Sequence, residues 1–177
     1  NHTGYANSSG VAIAREAVDR EVKRKGIKSY HDCFITSGVS ECIELCLTAL
    51  LNPGEEILTP SPGYPLYTAV LSKLGAKNVP YFLDEDNNWE PDIEDVKRKI
   101  TSKTKAFVLI NPNNPTGSRY SKEVLQEIVK LSLKHNFIIF ADEIYDKLVL
   151  DGPDSLSIAS LSEDAPIITM NGLSKAY

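Results

Sequence analysis

Hydrophobic positions along this chain follow two alternating patterns. Short runs rich in Val, Ile and Phe are separated by longer stretches in which apolar residues recur three and four positions apart, as on one face of a helix. The short runs predict strands at Cys33–Ser37, Glu56–Pro60, Asn78–Phe82, Ala106–Ile110, Phe137–Ala141 and Ile167–Asn171. The longer stretches predict helices at Val11–Lys25, Ser40–Leu51, Pro65–Leu74, Pro91–Ile100 and Lys122–Lys134. Strands that alternate with helices predict an α/β fold.

The composition of the strands indicates how the sheet is covered. Phe137-Ile138-Ile139-Phe140 is apolar at every position, which is typical of a strand buried on both faces. We therefore predict a three-layer α/β/α fold with a mainly parallel, mixed sheet. Turn residues such as Asn52-Pro53-Gly54 separate the elements, and Ser121 is placed to cap the last helix. We find no linker or repeat, so residues 1–177 are predicted to be a single domain.

Charge and hydropathy exclude some partners. The 19 Lys and Arg residues are spread along the chain and are outnumbered by 24 Asp and Glu, for a net charge of −5. A phosphate backbone requires a basic surface, so nucleic acid is not an expected partner. No apolar run reaches the roughly 18 residues that would cross a bilayer. The three histidines lie in different segments, so we expect no metal site. We predict a cytoplasmic protein without membrane contacts.

Ligands of parallel α/β sheets bind beyond the carboxyl ends of the strands, so the residues that follow each predicted strand are the candidates. After the first strand, Gly38-Val39-Ser40 opens a helix. Free N–H groups and the positive end of the helix dipole could hold a phosphate there, with the Ser40 hydroxyl as a further donor. The alternative is a simple turn and helix cap, which is the commoner meaning of such a segment.

Asp142 and Asn114 follow two further strands. An ionised carboxylate at the end of an apolar strand is costly unless a cation or several donors meet it, and a protonated heteroaromatic nitrogen would be such a cation. The alternative is that Asp142 caps the turn that follows it. Asn114 lies in a loop made rigid by prolines, which could fix its amide as a donor, although such loops are also common without a function.

Lys175 follows the last predicted strand and Gly172, so its amine could lie at the bottom of a cleft. A desolvated lysine has a lowered pKa and attacks aldehydes. The alternative is an ordinary surface lysine. Tyr64 offers a ring that could stack on a flat cofactor, and Tyr145 a phenol that could donate to it. The alternative for both tyrosines is a place in the core.

The candidates occur in one order along the chain: Gly38-Val39-Ser40, Tyr64-Pro65, Asn113–Gly117, Asp142-Glu143-Ile144-Tyr145 and Ser174-Lys175. In this order and spacing the chain resembles the class I/II aminotransferases, within the fold-type I pyridoxal-phosphate enzymes. The segment Met170–Tyr177 looks most like the alanine-aminotransferase-like branch. The resemblance covers essentially the whole chain. It implies a partial large domain, with the small domain and the carboxyl-terminal half missing.

The resemblance also implies roles for individual residues. Lys175 would hold pyridoxal 5'-phosphate as a Schiff base and move the substrate's α-proton, and Asp142 would pair with the pyridinium nitrogen. By the same resemblance, Asn114 and Tyr145 would contact the phenolic oxygen of the cofactor, and Tyr64 would stack on its ring. The cofactor phosphate would be bound by Gly38, Val39 and Ser40, and by Tyr5 from the neighbouring subunit of a homodimer. Gly172 departs from the pattern, because many members have Ser or Thr there that touches the phosphate.

The reaction implied is transfer of an amino group from an amino acid, such as alanine, aspartate or an aromatic one, to a 2-oxo acid. Two alternatives stay open. Carbon–sulfur lyases are similar at the same positions and differ in the reaction that follows. The chain could also be a truncated, non-catalytic fragment, because the arginines that bind the phosphate and the substrate carboxylate in this family have no counterpart in it.

Overall fold

Each of the five predicted helices is present in the computed structural model, which describes residues 4–177. They are α1 (Ala12–Arg24), α2 (Val39–Leu50), α3 (Pro65–Leu74), α4 (Ile93–Lys99) and α5 (Lys122–His135). The Ser121 hydroxyl accepts the Val124 N–H at 3.4 Å and caps α5, as predicted. At the end of α3, Gly75 adopts φ 67°, a left-handed conformation that favours a residue without Cβ. None of the helices in the described range is long and apolar enough to cross a membrane.

One six-stranded sheet forms the centre of the molecule. Its strands are β1 (Glu56–Ser61), β2 (Lys77–Asp84), β3 (Glu90–Pro91), β4 (Thr104–Ile110), β5 (Ile138–Asp142) and β6 (Ile167–Met170). They lie in the order β3-β2-β1-β4-β5-β6, and every neighbouring pair is parallel except β2 with β3. The prediction of a mainly parallel, mixed sheet is confirmed. The carboxyl ends of β1, β4, β5 and β6 therefore point the same way.

The sheet separates two hydrophobic clusters, because successive side chains of a strand point to opposite faces. Phe107 and Leu109 of β4 belong to the cluster that includes residues of α4 and α5. Val108 and Ile110 belong to the cluster that includes residues of α2 and α3. The three-layer arrangement is therefore confirmed. Helix α1 has no buried residue and adds nothing to either cluster.

The predicted strand Cys33–Ser37 is wrong. The segment joins none of the strands of the sheet, and the described part of the chain gives it one backbone bond, from the Ile35 N–H to the Ser9 carbonyl at 3.0 Å. Phe34 is 67% exposed, so the apolar run is not matched by a covering element. Hydrophobicity predicts that a segment can be buried, whereas a strand also needs a ladder partner. Conversely, β3 was not predicted, because two residues carry no periodic signal.

Candidate functional site

Three loops meet at the carboxyl end of the sheet around Gly172, just after β6. A Cβ at this position would lie 3.2 Å from Ile144 Cδ1 and 3.9 Å from Val39 Cγ2. The loop after β6 thus packs closely against the loop after β5 and against the start of α2. The residues that follow β5 and β6 therefore meet the start of α2 at one edge of the sheet.

Asp142, the last residue of β5, is buried at this edge. The Tyr67 hydroxyl donates to its Oδ2 at 3.0 Å, and the Ile144 N–H donates to its Oδ1 at 3.3 Å. The second bond is the turn-capping interaction considered above. Burial raises the pKa of the Asp142 carboxyl, and these two hydrogen bonds only partly oppose the rise. No ammonium or guanidinium group of residues 4–177 pairs with it. A carboxylate in this setting suits a cationic ligand group.

Tyr67 is a site residue that sequence reasoning missed. It lies on the buried face of α3 with Val70 and Leu71, and is 1% exposed. Burial, followed by the charge of Asp142, raises the pKa of its phenol well above the ordinary value, so the group stays a donor. A tyrosine at this position of a helix predicts only a core residue, because Asp142, the partner of its hydroxyl, lies far away in sequence.

Asn114, Tyr145 and Lys175 form a second group. The Asn114 amide donates to the Tyr145 hydroxyl at 3.4 Å, and both side chains are half-buried. The Lys175 ammonium lies 5.9 Å from the centre of the Tyr145 ring. The neighbouring Asn113 braces the loop, because its amide donates to the Thr116 hydroxyl at 3.0 Å. Two donors and an amine are therefore held together near the end of β6.

The Lys175 side chain is exposed, so the expectation that its amine lies at the bottom of a cleft is wrong for the described chain. Leu173 and Tyr177 on either side are also exposed, at 73% and 76%. None of the described elements covers this segment, and desolvation cannot occur without such a cover. Lys175 still follows β6 as predicted and points its amine toward Tyr145.

Gly38 forms the turn into α2 with φ 105°, a conformation that favours glycine. The helix begins at Val39, so the N–H groups of Val39 and Ser40 lie in its first turn, where helices leave them without an internal partner. The Ser40 side chain is exposed. The Glu41 carboxylate accepts the Ser37 N–H at 2.6 Å. The turn therefore offers backbone donors beside one acidic side chain.

The side chains of two other predicted residues make no hydrogen bond to these groups within residues 4–177, although the Tyr64 carbonyl accepts the Tyr67 N–H at 3.4 Å. Tyr64 directly precedes α3, is 38% exposed, and shares that helix start with Tyr67. Tyr5 is fully exposed, and no residue in the described range holds it near the site. Their predicted roles, in stacking and in a neighbouring subunit, stay predictions.

The fold and the site define an α/β protein whose strand ends gather a buried carboxylate, fixed hydrogen-bond donors and an amine. A model of the family "Aminotransferase class I and II" matches residues 2–177. The chain belongs to this family.

Curated relatives and solved structures agree with that assignment. The chain is 52% identical over 176 residues to the glutamate-pyruvate aminotransferase AlaA of Haemophilus influenzae, which covers 98% of the chain and 44% of the relative. It is 48% identical to the alanine aminotransferase of Mycobacterium tuberculosis, covering 98% and 41%. The structure of alanine aminotransferase from Pyrococcus furiosus superposes with a TM-score of 0.93 at 43% identity, covering 98% and 44%. The chain thus spans less than half the length of these relatives.

Proposed function

We propose that this chain is part of a pyridoxal-phosphate-dependent aminotransferase and carries most of its cofactor site. The observation that supports this most is Asp142, a buried carboxylate with a phenol donor and no cationic partner among the described residues. The matched relatives are named as enzymes of alanine, glutamate and pyruvate. We therefore propose alanine as an amino donor and a 2-oxo acid as the acceptor.

The groups in the site fit the functional groups of pyridoxal phosphate. Asp142 suits a protonated pyridine nitrogen, and the Asn114 and Tyr145 donors, 3.4 Å apart, suit a phenolic oxygen. The free N–H groups at the start of α2 suit a phosphate. The Lys175 amine suits the aldehyde. When bound, the cofactor supplies a ring that accepts the electrons released at the substrate's Cα.

The chain's own residues would act around that ring. The Asp142 charge stabilises a positive ring nitrogen, and Tyr67 fixes the direction of the carboxylate. Asn114 and Tyr145 orient the ring from its other edge. Lys175 would anchor the cofactor through its amine, and that amine, when free, would move the proton from the substrate's Cα to the cofactor carbon that carried the aldehyde. We propose that Tyr64 stacks on the ring.

The same proposal covers the organisation of the whole protein. Because the chain spans 44% of the AlaA relative, we propose that residues 1–177 are a partial large domain and that further chain supplies a small domain. We propose a cytoplasmic homodimer in which Tyr5 reaches the phosphate of the partner's cofactor. The full exposure of Tyr5 is compatible with that role.

The function is tested in the full-length protein with alanine and a 2-oxo acid. Formation of pyruvate that depends on both substrates, and equals the new amino acid formed, is the expected result. In a parallel assay with an amino acid that carries a thioether at Cβ, release of a thiol together with pyruvate and ammonia, without an acceptor acid, would identify a lyase instead. Borohydride treatment of the 177-residue chain with pyridoxal phosphate tests the remaining alternative, since a missing adduct on Lys175 would mark this chain alone as non-catalytic.

Tyr67→Phe is expected to weaken cofactor binding by about 10- to 150-fold. The change keeps the ring but removes a hydrogen bond to a charged group, which contributes about 1.5–3 kcal/mol. The pKa of Asp142 should rise further, because that donor lowers it. Titration of the apoprotein with pyridoxal phosphate, followed by absorbance, measures the affinity.

Tyr81→Phe is the matched control for this change. Tyr81 is also fully buried, but its hydroxyl donates to the Val108 carbonyl at 2.9 Å and not to Asp142. It should lower stability by about 1 kcal/mol and leave cofactor affinity unchanged. Equal loss of affinity in the two variants would show that Tyr67 acts only through general stability.

A further inference from the structure

A buried ion cluster includes two side chains of the loop that follows Asp142 and carries Tyr145. The Lys25 ammonium, whose side chain is 8% exposed, is 2.6 Å from Glu143 Oε2 and 2.6 Å from Asp146 Oδ2. Both carboxylates are buried, with side-chain exposures of 4% and 6%. Neutral donors complete the group, since Ser157 Oγ donates to Glu143 at 2.7 Å and Asn171 Nδ2 to Asp146 at 2.9 Å. We refer to these five residues as the Lys25 cluster.

The cluster joins four parts of the chain, one of which is the segment that contains Ser157. Lys25 caps the end of α1, a helix without buried residues. Glu143 and Asp146 flank Ile144-Tyr145 in the loop after β5. Asn171 directly precedes Gly172 in the loop after β6, and a backbone bond from Glu143 to Met170 at 2.9 Å lies beside it. The ammonium therefore connects α1 to the loop after β5 directly, and to the loop after β6 through Asp146 and Asn171.

The Lys25 ammonium balances the negative charges of the buried Glu143 and Asp146 carboxylates. Burial by itself lowers the pKa of Lys25, but the Glu143 charge and the hydrogen bonds that the ammonium donates to both carboxylates offset this and raise it. Burial also raises the pKa of Glu143, against the opposing charge of Lys25. Two buried carboxylates three positions apart repel each other strongly when no cation lies between them. Without the ammonium, the two carboxylates would have to bind a proton or move apart, and in either case the loop would lose the contacts that connect it to α1.

We propose that Lys25 is a positioning residue, which holds the Glu143–Asp146 loop so that Tyr145 faces Asn114 and Lys175. The inference rests on the proposed function for its catalytic consequence. The positioning of the loop by the Lys25 cluster depends only on the contacts among these five side chains. Buried ion pairs contribute little net stability, so the pairs of Lys25 with Glu143 and Asp146 are consistent with a role in fixing one conformation of the loop.

The positioning of the loop by Lys25 is tested by hydrogen exchange of the full-length protein without added cofactor. In Lys25→Met, amide exchange of residues 143–148 is expected to rise about tenfold or more, while that of α5 stays as in the wild type. Arg24→Met is the matched control, because Arg24 is the neighbouring residue and its pairs with Glu21 and Asp154 are exposed. It should exchange like the wild type. Unchanged exchange in Lys25→Met, or an equal rise throughout the sheet, would overturn the proposal.

Two further variants separate charge from packing. Adding Glu143→Gln and Asp146→Asn to Lys25→Met removes the repulsion and is expected to restore slow exchange at residues 143–148. Failure to restore it would show that the Lys25 stem, and not its charge, orders the loop. Asn171→Ala keeps all three charges and provides a test even if Lys25→Met does not fold. It should raise exchange of the same residues about threefold, and no rise would contradict the connection between the loops.

The consequence for the site is measured separately, as the pH dependence of the visible absorbance of bound pyridoxal phosphate. Lys25→Met should shift this titration to higher pH by about one unit, because a displaced Tyr145 no longer stabilises the phenolate oxygen. Arg24→Met should not shift it. An unshifted titration beside raised exchange would limit Lys25 to a structural role. A wild type that binds no cofactor would refute the proposed function and leave the exchange result standing.

Discussion

Lys175→Ala in the full-length protein should eliminate the covalent cofactor adduct and lower amino transfer by about 10⁴-fold or more. The amine is proposed both to anchor the aldehyde and to move the proton at the substrate's Cα, and positioned proton transfer alone contributes about 10²–10⁴-fold. Borohydride reduction followed by peptide mass mapping measures the adduct. Formation of pyruvate from alanine and a 2-oxo acid measures the transfer.

Lys130→Ala is the control for this experiment, because aldehydes also react with surface lysines. Lys130 lies on α5, and its amine pairs with the exposed Glu127. The variant should retain one adduct per chain, mapped to Lys175, together with full activity. Amino transfer that survives in Lys175→Ala would refute the assignment of this lysine, whatever the total amount of aldehyde bound.

The fold could be predicted from the sequence where local periodicity and burial coincide. Helix α5 buries Leu125, Ile128, Val129 and Leu131 on one face, and this spacing was visible in the chain. The segment Cys33–Ser37 is also rich in apolar residues, but its assignment as a strand depended on pairing with another strand, which no local pattern reveals. The periodicity of apolar residues does not show which distant segments pair as strands.

In the candidate site too, the sequence predicted the residues that follow strands but not those whose roles depend on distant partners. Asp142, Asn114 and Tyr145 were found because each follows a predicted strand, and parallel strands bring their carboxyl ends together. Tyr67 was missed because a tyrosine within a helix predicts a core position, and Lys25 was missed because a lysine at the end of a helix predicts compensation of the helix dipole. Their roles come from partners in distant loops, Asp142 for one and Glu143 with Asp146 for the other.

Asp142→Asn is expected to lower amino transfer by about 10²- to 10³-fold. Removing one partner of a buried ion pair costs about 3–5 kcal/mol, and an amide cannot balance a positive ring nitrogen. Asp95→Asn is the matched control, since Asp95 is also a buried carboxylate, but it bonds to Lys99 of its own helix and to the Phe82 N–H. This control should retain activity, and an equal loss in it would point to general damage.

Stability of the apoprotein distinguishes this charge effect from misfolding. The pKa of Asp142 is raised in the folded state, so its ionisation opposes folding, and that cost sets in as the pH rises above the unfolded value of about 3.9. Below that pH both states bind the proton and the cost disappears. Asp142→Asn should therefore be at least as stable as the wild type at neutral pH while it loses activity. A variant that is both inactive and much less stable at neutral pH would contradict the proposal that Asp142 is held for its charge.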